Sequence, residues 1–219
     1  MNSKNIRIAI IDNTSRWHRM KYTSNYRFEV INHGLLCKEI INRYSCNNTI
    51  VFKKVFSRET LKCTLDKIEN SINWCINNQI KVINLSLGST SEKDFVKLES
   101  VCSLARAKEI IVVAGVSNSG EYTMPANSGF AIGVDVNPEY EDNEYIWNSE
   151  RQIFEASGVH TLFLAKPYQT DPCSSFAVPT IVAEIANIIK KEKVESFDDI
   201  KNILINNAHD RVNKCIKRV

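Results

Sequence analysis

Glycine and proline are scarce in this 219-residue chain, seven and five respectively, and they do not cluster. No Pro/Gly/Ser-rich linker, repeat or low-complexity tract interrupts the sequence, so it reads as one domain spanning 1–219. The seven cysteines are an odd number and include no CxxC pair, which argues against a zinc site or a disulfide framework. Four of them fall in apolar helical or strand patterns, where a free thiol packs as a small hydrophobe. No run is long and apolar enough to span a bilayer. No h-region with a cleavage site follows Met1, and the chain passes straight into the apolar stretch Ile6–Ile11. A reducing cytoplasm is the expected compartment, with no propeptide ahead of the first strand. Neither GxGxxG nor a Walker pattern follows any predicted strand, which sets aside a nucleotide-binding domain. The net charge is only +3, with acids and bases interspersed, so neither a nucleic acid nor a membrane is the expected partner.

The order of elements is regular. Short apolar strands are predicted at Arg7–Ile11, Thr49–Phe56, Val82–Leu87, Ile110–Ala114, Phe130–Val136 and His160–Leu164. Between them lie helical stripes, one of Leu61, Leu65, Ile68, Ile72 and Ile76, another of Phe95, Leu98, Cys102 and Ala105. Ser57 with Thr60, and Ser196 with Asp199, read as N-terminal caps. Strand–helix alternation predicts an α/β fold: a single three-layer domain with a mainly parallel sheet flanked by helices. Chemistry in such a fold gathers at the carboxyl ends of the strands.

Three polar residues fall there. Asp12 closes the first strand. His33, in Asn32-His33-Gly34, and Ser175, in Cys173-Ser174-Ser175-Phe176-Ala177-Val178-Pro179, each stand directly before a helical run. Each alone suits a cap or a turn, but the order Asp, His, Ser on an α/β chain is one of the known triad orders. A serine at a helix N-terminus presents its hydroxyl, and its backbone N–H faces a developing oxyanion. A histidine in the same positive field favours the neutral base, and a strand-held aspartate fixes its tautomer.

Six blocks in sequence order resemble the subtilase family. They are Ile8–Thr14, His33–Ile41, Val82–Gly88, Ile111–Gly120, the pair Met124–Ala126 with Ala131–Val134, and Ser175–Pro179. The resemblance implies a subtilisin-like serine endopeptidase with Asp12, His33 and Ser175 as its triad and Asn118 as the oxyanion-hole side chain. Ser86, Leu87 and Gly88 would pair with an extended peptide, with Ala114 and Gly115 also lining the substrate site. No metal and no cofactor are expected: many relatives have calcium-binding loops, but no loop of this chain carries calcium-like spacing. The acidic stretch of Asp135, Glu139, Glu141, Asp142 and Glu144 reads as a solvated loop, as does His18 in the short interval between Asp12 and His33. The expected partner is a peptide or protein substrate, in the narrower case a leader or precursor peptide. A catalytically silent peptide-binding relative is the alternative. The chain departs from the family at Asn13-Thr14, at Leu35, at Thr180 and at Cys173-Ser174. In the last of these, Cys173 takes a glycine's place, and backbone strain is expected there.

Overall fold

The sheet owes its shape to central strands covered on both faces. The computed structural model describes residues 5–12, 18–21, 26–29, 32–56, 63–163 and 167–216. In β1 (Ile6–Asp12), Ile8 and Ile10 enter one core while Ala9 and Ile11 enter the other, the period-two alternation of a strand covered on both sides. After a ribbon of β2 (His18–Lys21) and β3 (Tyr26–Glu29), the chain forms α1 (His33–Tyr44), β4 (Asn48–Lys54), α2 (Leu65–Asn77), β5 (Val82–Leu85) and α3 (Glu92–Ala107). There follow β6 (Ile111–Gly115), β7 (Ile132–Val136), β8 (Tyr145–Asn148), β9 (Ile153–Ala156), β10 (Thr161–Phe163) and β11 (Pro167–Gln169). Two helices, α4 (Ser174–Glu192) and α5 (Phe197–Ile216), end it.

Seven strands make the main sheet, in the order β4-β1-β5-β6-β7-β9-β8. All neighbours are parallel except β8 against β9. Helices α1, α4 and α5 pack on one face; α2 and α3 pack on the other. The predicted three layers are therefore present. Helix α4 is buried without a break from Phe176 to Ala183, as a helix central to its layer must be.

Successive crossovers leave β1 in opposite directions, to β4 on one side and β5 on the other. That reversal opens a crevice at the carboxyl ends of β1 and β5. The edge strand β4 alternates half-buried and exposed residues along most of its length and ends in Lys53 and Lys54.

Several boundaries differ from the sequence reading. β5 stops at Leu85, and β7 begins only at Ile132. The strand predicted at His160–Leu164 is β10, which pairs with β11 in a separate ribbon outside the main sheet. The antiparallel pair β8–β9 was not predicted; its strands have four residues each, too short to show a period. His18 lies in β2, paired with Glu29, rather than in a loop. Ser57, Thr60 and Leu61 lie outside the described residues, whereas the Ser196 cap is present, with Asp199 N donating to its Oγ at 3.4 Å.

Candidate active site

Asp12 is delivered to the crevice by β1, whose last backbone carbonyl accepts Val55 N–H at 3.2 Å. Its side chain is almost fully enclosed, at 6% exposure. His33 is the first residue of α1. Asn32 caps that helix, with its Oδ1 accepting Leu35 N–H at 3.2 Å. The His33 ring is buried against Phe176, with ring centroids 4.9 Å apart. Between the two, His33 Nδ1 lies 2.5 Å from Asp12 Oδ2. A carboxylate only accepts, so Nδ1 carries the hydrogen and Nε2 is the basic nitrogen. Burial opposes the imidazolium, but the Cys37 sulfur and the Asp12 carboxylate outweigh it and hold the His33 pKa above the ordinary histidine value.

Ser175 stands in the first turn of α4 and is half-buried. Its Oγ donates to the Ser86 carbonyl at 3.4 Å, while Ser86 Oγ donates to the Ser175 carbonyl at 3.0 Å. Ser174 fixes the start of the helix, donating from Oγ to Val116 O at 2.8 Å and from N to Asn118 Oδ1 at 3.0 Å. With Oδ1 engaged there, exposed Asn118 keeps its Nδ2 as a donor at the rim, next to the residue before Ser175. Cys173 occupies the N-cap at φ −152° and ψ 156°. That is extended backbone open to any residue, so the strain expected of a cysteine in a glycine's place is absent. Burial raises the Cys173 thiol pKa.

The predicted substrate residues divide into two groups. Ser86 and Leu87 are half-buried and Gly88 is exposed, so the segment runs along the surface past the end of β5. Gly88 is there because its backbone passes close to the segment at Thr123 and Met124. A Cβ would lie 2.6 Å from Thr123 Cγ2 and 2.7 Å from Met124 O. Ser89 and Met124 exchange backbone hydrogen bonds of 2.9 Å just beyond. Ala114 and Gly115, in contrast, are buried in β6. A Cβ on Gly115 would come within 3.2 Å of Ser174 Oγ, so this glycine lets the tip of α4 sit close on the sheet.

Cys37 was not among the predicted site residues. It is one helical turn past His33, fully buried, and its Sγ lies 3.7–4.0 Å from Asp12 Oδ2, His33 Nδ1, Ser86 Oγ and Ser175 O. The i, i+4 spacing from His33 was the available signal. Asp12, His33 and Cys37 hold ligand atoms within 4.8 Å of one another. Yet 2.5 Å between Asp12 and His33 is a hydrogen bond, shorter than the roughly 3.3 Å that two ligands of a tetrahedral zinc keep between them.

With a buried Asp–His pair, a serine at a helix N-terminus and an amide donor beside it at the switch point, the comparison that decides the family is of sequence. The profile of the subtilase family matches residues 39–218. The chain belongs to the subtilase family. Asp12 and His33 lie upstream of that match and Ser175 lies within it. The minor extracellular protease Epr of Bacillus subtilis (strain 168) is 24% identical over 235 residues, 96% of this chain but 36% of that protein's length. This subtilase thus spans little more than a third of that relative.

Among solved structures, a lanthipeptide protease superposes with a TM-score of 0.67 at 14% identity, over 91% of this chain and 78% of the other. The epidermin leader peptide processing serine protease EpiP of Staphylococcus aureus gives 0.66 at 17% identity, over 92% and 69%. At such identities the likeness is one of fold. Among the described residues no helix is long and apolar enough to cross a membrane, and Cys37, Cys46, Cys63, Cys75, Cys102 and Cys173 are free.

Proposed function

We propose that this subtilase is a serine endopeptidase that cleaves peptide bonds through an acyl-enzyme. Ser175 is the nucleophile, His33 the general base and then the general acid, and Asp12 fixes the His33 tautomer. The observation that carries this reading is the buried 2.5 Å contact of His33 Nδ1 with Asp12 Oδ2, beside a serine that begins a long helix. The Asn118 amide and the Ser175 backbone N–H would receive the oxyanion. An extended substrate would add its backbone to Ser86, Leu87 and Gly88, over a floor that includes Ala114 and Gly115.

The substrate class we propose is a leader or precursor peptide, cut by a dedicated maturation peptidase working in the cytoplasm. The family membership and the fold shared with a lanthipeptide protease and a leader-peptide processing protease support it. The second reading is a silent peptide-binding relative. It draws on the Ser175 hydroxyl, which is turned to the Ser86 carbonyl, although such bonds often realign only with substrate in place.

Labelling with a fluorophosphonate probe separates the two. The wild type is expected to label, and Ser175→Ala and His33→Ala to abolish it; a folded wild type that takes no label would overturn the peptidase. Cleavage of casein as readily as of a precursor peptide would overturn the dedicated substrate.

A further inference from the structure

Pro179 lies inside α4, one turn after Ser175. Proline has no N–H, so the i→i−4 bond that residue 179 would give the Ser175 carbonyl cannot form. This carbonyl belongs to the nucleophile's own residue, and its position sets where the Ser175 side chain points.

The missing donor is replaced from the sheet. Ser86 Oγ reaches across from the end of β5 and donates to the Ser175 carbonyl at 3.0 Å. A hydroxyl has one hydrogen, and its direction has to be set. Asn84, fully buried in β5, donates from Nδ2 to the same Ser86 Oγ at 2.9 Å. With its acceptor side filled by that amide, Ser86 has its hydrogen free for Ser175. Asn84 Oδ1 has no hydrogen-bond partner among the described residues. A fully buried amide that satisfies only its donor half is costly to keep, and such a group calls for a role.

We infer that Asn84 and Ser86 form a positioning relay that takes the place of the backbone hydrogen bond removed by Pro179, and so fixes the carbonyl and side chain of Ser175 for attack. The inference rests on the reading of Ser175 as the nucleophile. It gives the Ser86 side chain a task separate from any peptide pairing by the Ser86 backbone. Asn84 and Ser86 touch no reacting atom through these groups; they act through Ser175.

The test is a double-mutant cycle of Ser86→Ala and Pro179→Ala. It is read by the rate of fluorophosphonate labelling, which needs no peptide in the substrate groove, and by the unfolding midpoint. Ser86→Ala should slow labelling about five- to tenfold, the rate equivalent of one modest hydrogen bond. Pro179→Ala restores an N–H at the position that serves the Ser175 carbonyl. In that background Ser86→Ala should slow labelling less than about twofold. Ser86→Thr, which keeps the hydroxyl, should rescue most of the rate, and Asn84→Ala should add nothing on top of Ser86→Ala. The same loss in both backgrounds would overturn the relay. Should the folded wild type take no label, the peptidase reading falls, and the cycle in unfolding midpoint still decides whether Ser86 caps the carbonyl. Additive midpoint shifts would overturn the capping; non-additive shifts would support it.

Discussion

Asp12 at the end of β1 and His33 at the start of α1, twenty-one residues apart in sequence, meet through a 2.5 Å contact between Oδ2 and Nδ1, buried on both sides. An amide in place of the carboxylate keeps the shape and presents its own N–H to the ring. Asp12→Asn should therefore lower the fluorophosphonate labelling rate on the order of 10³–10⁴-fold with the fold intact. The pH profile should move as well. Because the His33 pKa is held above its ordinary value, the neutral base forms as pH rises through that raised pKa. Labelling should climb accordingly in the alkaline range. Removing the Asp12 charge should shift the midpoint downward.

Asn118 Oδ1 accepts from Ser174 N–H, and under the proposed function its Nδ2 donates to the oxyanion. Asn118→Asp retains an oxygen for Ser174 N–H but loses the Nδ2 donor. It should lower kcat on the order of 10²–10³-fold, a magnitude taken over from subtilisin itself, with KM little changed. Asn118→Ala should lose the helix contact too and lower the unfolding midpoint further. Equal kcat for wild type and Asn118→Asp on a cleaved peptide would remove Asn118 from the oxyanion site.

Gly88→Ala tests the wall of the groove. The new Cβ would sit 2.7 Å from the Met124 carbonyl, a backbone atom that moves only if the Ser89–Met124 pairing moves with it. A destabilisation of about 1–3 kcal/mol in a denaturant melt is expected.

His160 makes stability depend on acid. Its Nε2–H donates to Phe176 O at 3.0 Å and Ser157 O at 3.1 Å, and Nδ1 accepts from Tyr44 OH at 3.0 Å. Burial lowers its pKa to about 4, against the pull of those backbone acceptors; Arg43 lowers it further and Asp142 raises it. The folded state therefore refuses a proton that the unfolded chain accepts near pH 6.5. Stability should fall as pH drops from about 6.5 to about 4, by on the order of 3 kcal/mol, and no further from this group below that. Unfolding curves of wild type and His160→Gln between pH 7 and pH 4 should converge toward acid.

The cores of the strands were legible because β1, β5 and β6 lie covered on both faces and their burial leaves a continuous apolar signature. β8 and β9 left none: each has four residues, too few to show a period, and only β8 lies at the far edge. Asp12, His33 and Ser175 could be read because Asp12 ends a strand and the other two stand at helix starts, boundaries that local sequence marks. Asn84 could not be singled out, and Cys37 had only its i, i+4 spacing from His33 to mark it. Each lies inside an apolar run where a small or polar residue passes for packing, and the polar group they share, Ser86 Oγ, meets them only in the folded chain. The strain expected at Cys173 followed from substitution alone, and an extended φ, ψ removes it.

The half-exposed rim of the sheet at β4 bears on how such a molecule could stay single. A protein that recruits an extended peptide by strand pairing sits at high local concentration of sticky backbone, its own copies included. β4 ends in Lys53 and Lys54, with the Lys53 ammonium 4.2 Å over the Trp74 ring, and paired lysines on an outermost strand repel a second copy from docking there. At the opposite rim, β8 has only four residues, too few to template a foreign strand. The surface thereby discourages chains from stacking into fibrils at either end of the main sheet.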